Sequence, residues 1–302
     1  MLKDGCLVYE KYFRNCTQES RVHVYSVTKS VISILIGIAL DKGYIKSTEQ
    51  KVLDFFPDYQ VKKGEQTIQE ITLKHLLSMT APYKYRIFPP YVKYFTSGDW
   101  VKFSLDVLGG RGKIGTFWYA PLIGPDILSG ILVRAAGQSV LDFAAENLFS
   151  PLGIPVPNSL AFRNKEEQMA FNRATDVSGW AWDQKGIHAA GWGLSLSPIE
   201  MAKLGQLYLN GGVWEKRRIV SEKWVADSTA EQSFWKRRKL SYGYLWWRHE
   251  EGYAAMGDGG NLIYVNTKKK LVVAIGGLLA PGAGERMGLV KQYVEPVFEE
   301  ER

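Results

Sequence analysis

Cysteine and histidine are scarce in this chain, and it has no long apolar run. Among 302 residues there are two cysteines, Cys6 and Cys16, and four dispersed histidines. Two cysteines cannot form a disulfide framework, and the spacing of the histidines matches no metal site. The longest apolar stretch, residues 31–40, is too short to cross a bilayer and predicts a buried helix. We therefore expect no metal and no membrane span.

A signal peptide is also missing from the sequence, because Asp4 and Glu10 interrupt any early apolar run. The composition, 46% hydrophobic and 23% charged, is typical of a globular protein and contains no low-complexity tract. The expected location is cytoplasmic by default.

The net charge of +7 raises the question of a nucleic-acid partner. The basic residues, however, form separate short clusters at 216–218, 236–239 and 268–270, each beside a turn-like stretch. Such clusters are typical of a solvated surface, and no zinc-finger or RNP-like motif accompanies them. We expect no nucleic-acid partner.

Strand patterns occur at both ends of the chain and helix patterns between them. The predicted strands cover residues 6–13, 252–256, 262–266 and 271–276. The predicted helices cover 28–42, 73–79, 125–137, 140–149, 198–210, a segment capped by Ser221, and about 284–298. This order predicts an α/β (α+β) fold in which one antiparallel sheet, built from both termini and flanked by helices, carries an inserted, mainly helical region. We expect a sheet domain of residues 1–60 plus 235–302, a helical domain of residues 61–234, and the active site in the cleft between them.

The principal chemical signal is the tetrad Ser26-Val27-Thr28-Lys29 at the start of the first apolar helix. Residues three apart share a helix face, so the Ser26 hydroxyl and the Lys29 amine can meet. Burial and the positive end of the helix both disfavour a charged Lys29. A neutral amine beside a hydroxyl is a proton acceptor, which a serine nucleophile needs. The tetrad predicts Ser26 as nucleophile and Lys29 as its activating partner.

Two other motifs in the sequence are alternatives to Ser26 and Lys29 as the functional site. A second tetrad of the same type, Ser233 to Lys236, leads into a basic cluster instead of a buried helix. The glycine pattern at 110–115 matches a dinucleotide fingerprint, but no helix follows it to hold a pyrophosphate. No G-x-S-x-G elbow exists, which argues against an ordinary α/β-hydrolase.

Several segments together resemble a known family. The stretch Val24-Tyr25-Ser26-Val27-Thr28-Lys29-Ser30 is similar to the nucleophile segment of class C β-lactamase-related serine hydrolases. That group includes D-Ala-D-Ala peptidases, family VIII esterases and 6-aminohexanoate-dimer hydrolases. The resemblance continues in family order through residues 71–80, 148–154, 191–198, 207–214 and 242–247. It implies a β-lactamase/transpeptidase-like fold and an acyl-enzyme mechanism on a small ester or amide, with no cofactor.

The family's second motif, a Tyr followed two residues later by Asn, maps onto Tyr119-Ala120-Pro121. The resemblance implies that Tyr119 is a general base shared with Ser26 and Lys29. Pro121 replaces the Asn and has no side-chain amide to hold substrate or Lys29.

The third motif, Lys-Thr-Gly or His-x-Gly in relatives, maps onto Asp258-Gly259-Gly260. The resemblance implies that these residues bind substrate and that the amides of Ser26 and Asn261 form the oxyanion hole. Asp258 stands where relatives hold a cation or His, so we expect it to disfavour substrates with a carboxylate beside the scissile bond.

A rival hypothesis is a catalytically silent member that binds a peptide or acyl ligand. Pro121, Asp258 and a first strand that is at most a stub motivate it. The short first strand also predicts an uncovered C-terminal helix, with apolar residues Met287, Leu289, Val290, Tyr293, Val294 and Val297. Self-association as a homo-oligomer through that face is a further expectation.

Overall fold

The main sheet is antiparallel throughout and draws its strands from both ends of the chain. The computed structural model describes residues 1–85, 89–280 and 286–298. The eight strands run in the order β2-β1-β14-β13-β12-β11-β10-β9. Their bounds are β1 Leu2–Lys3, β2 Cys6–Leu7, β9 Ser233–Trp235, β10 Leu240–Tyr242, β11 Trp247–His249, β12 Gly252–Gly257, β13 Asn261–Asn266 and β14 Leu271–Ile275. This confirms the predicted α/β class with a sheet built from both termini.

Short strand pairs and helices fill the middle of the chain. The pairs are β3 Val22–His23 with β6 Ser195–Leu196, β4 Asn158–Leu160 with β5 Gly179–Ala181, and β7 Val213–Trp214 with β8 Arg217–Arg218. The helices are α1 Val27–Asp41, α2 Thr67–Glu70, α3 Leu73–Leu77, α4 Tyr91–Phe95, α5 Trp100–Val107, α6 Asp126–Ala136, α7 Val140–Ala144, α8 Lys165–Phe171, α9 Pro198–Leu209, α10 Glu222–Thr229 and α11 Met287–Leu289. A 3₁₀ turn covers Val52–Phe55 and another covers Asp258–Gly260; π-helical turns at Ala145–Phe149 and Val290–Val294 extend α7 and α11, and Glu295–Phe298 is a final 3₁₀ turn.

Helix α1 lies at the centre of the molecule. Thirteen of its 15 residues are buried, as its apolar sequence predicts. At Gly37 a Cβ would lie 2.1 Å from the Trp224 ring, so only glycine lets α10 pack this closely. One cluster of buried residues extends from the sheet through α1 into the helical region. The division into two domains at residues 61 and 234 therefore stays a prediction, since a common core joins the two parts.

The predicted helix ends agree with the caps in the structure. Ser197 and Glu200 form a reciprocal capping box, and Ser221 accepts a hydrogen bond from the Trp224 amide. Gly137 ends α6 in the left-handed conformation, with φ 71°. His75 closes a capping box with Thr72 at the start of α3.

The predicted strand at residues 6–13 is wrong beyond Leu7. Only Cys6–Leu7 pairs, and it pairs with the two residues of β1. The Val8 amide donates to the Met1 carbonyl at 3.0 Å and the Tyr9 carbonyl accepts from the Met1 amino group at 2.7 Å, but in the described part of the chain residues 8–13 form no strand and are largely exposed. Alternating apolar residues do not make a strand where no neighbouring backbone completes the ladder.

The C-terminal helical segment covers the second face of the sheet. Met287 and Val290 are buried against residues of β12, β13 and β14. Leu289, Tyr293 and Val297 are 49%, 63% and 73% exposed. Residues 284 and 285 of the predicted helix lie outside the described residues. Self-association through this face stays a prediction.

Within the described ranges, no single helix has the length and apolar character that a bilayer crossing requires. One bent pair, Asp126–Ala136 with Val140–Phe149, meets those criteria jointly, at an angle of 77°.

Candidate active site

Ser26 occupies the turn between β3 and the first residue of α1. The preceding Tyr25 has φ 49°, a left-handed conformation that is uncommon for a residue with a large side chain. Its ring packs on buried His23, with ring centroids 3.9 Å apart. Strain of this kind persists only where the surroundings enforce it, and it marks functional sites. The turn at Tyr25 places the half-buried Ser26 side chain at the wall of a cleft.

Lys29 contacts Ser26 as the three-residue spacing predicts. Its Nζ lies 2.7 Å from Ser26 Oγ and donates a hydrogen bond to the Gly191 carbonyl at 3.0 Å. The side chain is 2% exposed. Burial lowers the pKa of Lys29 to about 7, although the carboxylates of Asp258 and Asp126 act to raise it. A substantial fraction of Lys29 is therefore neutral at neutral pH and can accept a proton.

Tyr119 lines the same cleft as Ser26 and forms a hydrogen bond with it. The loop that carries it is held by the Trp118 amide, which donates to the Met79 carbonyl at 2.6 Å. Burial, and next the charge of Asp258, raise the pKa of Tyr119 to about 12, while hydrogen bonding with Ser26 and the charge of Arg238 act against this rise. The phenol is therefore protonated at neutral pH. This state differs from the base role implied by the family resemblance.

The backbone at the end of β12 packs closely against the backbone of Val24 and Ser26. A Cβ on Gly257 would lie 2.2 Å from the Val24 carbonyl oxygen and 3.2 Å from the Ser26 nitrogen. Gly259 and Gly260 both have positive φ, 78° and 81°, in the turn that follows. Gly257 is needed because a side chain would block this close contact, and Gly259 and Gly260 are needed because their φ angles are positive. Among the described residues, no hydrogen bond engages the Ser26 amide.

Asn261 begins β13 and is buried beside this turn. Its Nδ2 donates to the carbonyls of Asp258 at 2.7 Å and Gly277 at 3.0 Å, and its Oδ1 accepts from the Gly277 amide at 3.0 Å. The side chain thus joins the Asp258–Gly260 turn to the segment after β14. The family resemblance implies a role only for the backbone amide of Asn261, and no local sequence pattern indicates this role of its side chain.

Charged residues of both signs line the cleft. Asp258 is exposed there, and its charge adds to burial in raising the pKa of Tyr25 and of Tyr91. Arg238 and Arg286 line the same cleft. Neither arginine could be predicted as a cleft residue from the sequence, because each lies far from the motifs along the chain. The positive charges of Arg238 and Arg286 therefore oppose the repulsion that Asp258 is expected to exert on a substrate carboxylate.

An aromatic wall completes the cleft. The rings of Tyr119 and Trp235 stack with centroids 5.2 Å apart, and those of Trp235 and Trp247 stack at 5.9 Å. The Arg238 guanidinium lies 5.5 Å from the centroid of the Trp235 ring. The cavity measures about 330 Å³, a volume suited to a small organic molecule. The tryptophan-rich composition was the only sequence signal for this wall.

The reactive groups of the other candidate motifs lie outside the cleft lining. Ser233, which starts the second tetrad, lies on β9 and donates to the Ser78 carbonyl at 2.6 Å. No helix follows the glycine pattern at 110–115 before α6. His188 is buried and lies 2.9 Å from Ser159 Oγ, away from the cleft lining. In the described part of the chain, no three His, Cys, Asp or Glu side chains are grouped to hold a metal ion.

Comparisons with known proteins agree with this arrangement. The chain is 24% identical over 239 residues to a 6-aminohexanoate-dimer hydrolase of Paenarthrobacter ureafaciens, covering 75% of this chain and 55% of that protein. The chain therefore spans about half the length of this curated relative.

Two solved structures show the same fold. A Bacillus anthracis protein provisionally named 6-aminohexanoate-dimer hydrolase has a TM-score of 0.73 at 18% identity, over 97% of this chain and 76% of its own. A family VIII carboxylesterase has a TM-score of 0.63 at 20% identity, over 86% and 78%. Residues 1–276 match the family described as Beta-lactamase. The resemblance seen in the sequence is thereby confirmed, and the chain belongs to the beta-lactamase family.

Proposed function

We propose that this protein is a serine hydrolase that forms an acyl-enzyme on Ser26 and acts on a small ester or amide. The observation that carries the proposal is the buried amine of Lys29, 2.7 Å from Ser26 Oγ and with its pKa lowered to about 7. An amine in this state can take the serine proton at neutral pH.

In the first step Ser26 Oγ forms a bond to the carbonyl carbon while its proton moves to Lys29 Nζ. The N–H that Lys29 donates to Gly191 orients the amine, so that its lone pair points to Ser26. The negative charge that develops on the carbonyl oxygen is held by the amides of Ser26 and Asn261. The start of α1 supplies a positive potential at the same place.

In the second step the bond to the leaving group breaks. Tyr119 is a neutral phenol in the free site, so it donates a proton to the departing oxygen or nitrogen and recovers one from protonated Lys29. Water then attacks the carbonyl carbon of the acyl-enzyme. Its proton passes through Tyr119 and Lys29 to Ser26 Oγ as the ester bond to Ser26 breaks. The acid and free Ser26 are released. Tyr119 is therefore assigned as a proton donor first and an acceptor second.

The proposed substrate is small and partly flat. A volume of about 330 Å³ and a wall of stacked Tyr119, Trp235 and Trp247 suit an aromatic or alkyl group beside the scissile bond. The relatives named as a family VIII carboxylesterase and as a 6-aminohexanoate-dimer hydrolase support a hydrolytic reaction on a small substrate. Asp258, Gly259 and Gly260 would line the substrate's path along β12.

A fluorophosphonate tests the proposal, because it modifies only an activated serine. We expect stoichiometric labelling of the wild-type chain, located at Ser26 by peptide mass spectrometry. Labelling should accelerate as the pH rises through about 7, where Lys29 loses its proton. An unlabelled, folded protein would instead support the silent-binder hypothesis.

The charge of Asp258 should control the choice between neutral and anionic substrates. We expect Asp258→Asn to raise kcat/KM for the p-nitrophenyl monoester of succinic acid, relative to p-nitrophenyl butyrate, by about fivefold to tenfold, since removing a solvent-screened like charge has an effect of this size. The measurement is the ratio of the two kcat/KM values.

Asp4→Asn is the matched control, because Asp4 is an exposed carboxylate in the β1–β2 turn at the other edge of the sheet. It should leave the ratio unchanged. An Asp258→Asn ratio equal to that of the wild type would mean that Arg238 and Arg286 already compensate the carboxylate.

A further inference from the structure

A carboxylate that the proposed mechanism does not use is buried directly behind Lys29. Asp126 begins α6 and is 1% exposed. Its Oδ1 accepts from the Ala190 amide at 2.8 Å, and its Oδ2 accepts from Tyr94 Oη at 2.5 Å. Tyr94 Oη in turn accepts from Trp192 Nε1 at 3.1 Å. In the residues described, Asp126 has no cationic partner within ion-pair distance, and a buried carboxylate held only by neutral donors is costly.

The backbone segment that Asp126 anchors also carries the carbonyl that binds Lys29. Ala190 donates to Asp126, and the next residue, Gly191, accepts from Lys29 Nζ at 3.0 Å. Burial raises the pKa of Asp126 to about 6, although the hydroxyl of Tyr94 and the amides of Ala190 and Gly191 act to lower it. At neutral pH the carboxylate is mostly charged, and its charge raises the pKa of Lys29.

Gly191 also contacts the segment that departs from the family motif. A Cβ on Gly191 would lie 3.0 Å from the Leu122 carbonyl oxygen and 3.2 Å from that of Pro121. Pro121 has no side-chain amide, so it cannot offer Lys29 a hydrogen-bond acceptor of the kind that an asparagine would. The backbone carbonyl of Gly191 instead accepts a hydrogen bond from the Lys29 amine.

We propose that Asp126 is a positioning residue that fixes the backbone segment of Ala190 and Gly191, so that the Gly191 carbonyl orients the Lys29 amine toward Ser26. The inference rests on the proposed function. It explains how the site can retain an oriented Lys29 with proline at position 121.

Other groups face this pair and enter any pH dependence. Lys29 is faced by Ser26 and Tyr119 at the cleft and by the charges of Asp258 and Asp126. Asp126 is faced by Tyr94 and by the more distant Tyr83 and Asp183. The pKa of Lys29 is about 7 and that of Asp126 is about 6, and substitution of Asp126 separates the contributions of the two groups.

The test is the rate of fluorophosphonate inactivation as a function of pH, with thermal unfolding measured in parallel. Asp126→Ala removes the anchor and should lower the rate at high pH by about 10²-fold, the effect of a displaced catalytic group. Asp126→Asn keeps an acceptor for the Ala190 amide but removes the charge. It should keep the high-pH rate within about threefold of wild type and move the rise in rate to lower pH, because Lys29 then loses a neighbouring negative charge.

Ser129→Ala is the matched control, since Ser129 is buried one turn later on α6 and its hydroxyl has no hydrogen-bond partner among the described residues. It should match the wild type in rate and in pH profile. A folded Asp126→Ala protein with the wild-type rate, or an Asp126→Asn profile that does not move, would overturn the inference while leaving the proposed function intact. A wild-type chain that the reagent does not modify would overturn both.

Discussion

Ser26→Ala is expected to lower kcat/KM for p-nitrophenyl butyrate by about 10⁶-fold, the scale seen when a serine nucleophile is removed. The hydroxyl forms the bond to the acyl group, and no neighbouring side chain can replace it. Stability should change little, because Ser26 is half-buried and its side chain makes no cap hydrogen bond to α1. The measurements are steady-state hydrolysis and the thermal unfolding midpoint.

The control for this variant is Ser233→Ala. Ser233 begins the second Ser-x-x-Lys tetrad but lies on β9, where no helix brings its hydroxyl to the lysine. Hydrolysis should survive this change. Undiminished turnover in purified Ser26→Ala protein, or labelling at Ser233, would contradict the assignment of the nucleophile.

Lys29→Arg is expected to lower kcat/KM by about 10²–10⁴-fold, the contribution of a general base. A guanidinium keeps the positive charge but does not release its proton at ordinary pH, so Ser26 loses its proton acceptor. In the wild type, the pKa of Lys29 near 7 predicts that kcat/KM rises with pH through that value, because the neutral amine is the active form. The variant should lack this rise.

Lys203→Arg is the matched control, since Lys203 also donates to a backbone carbonyl, that of Gly153, but lies at the surface. Its rate and pH profile should equal those of the wild type. Because arginine is larger than the buried lysine, Lys29→Met provides a neutral variant of similar size with the same expected loss. A normal rate in either folded Lys29 variant would show that the lysine is structural.

Local patterns in the chain predicted much of this molecule correctly. The apolar run after Ser26 could only be a buried helix, and the three-residue spacing brings Lys29 to Ser26 on any such helix. The capping box at Ser197 begins α9 and the glycine at 137 ends α6, both where expected. These features depend on residues within a few positions of one another, so they can be read from the sequence.

Features that depend on distant residues could not be read in this way. The strand predicted at residues 6–13 ended at Leu7, because only neighbouring backbone decides whether a strand pairs. The arginines of the cleft, Arg238 and Arg286, reach it from a hairpin and from the segment before α11. The positive charge that they bring to the cleft of Asp258 could therefore not be predicted from the sequence.

The sequence by itself determined the nucleophile tetrad, the helix that carries it and the family to which the chain belongs. Only the tertiary structure decided the protonation states of the site, because these depend on burial and on charges brought from elsewhere. It lowered the pKa of Lys29, kept Tyr119 protonated, and brought Asp126 to the Ala190 amide from a position 100 residues beyond Ser26. A helix turn sets which side chains meet, but desolvation by the whole fold sets which of them holds the proton.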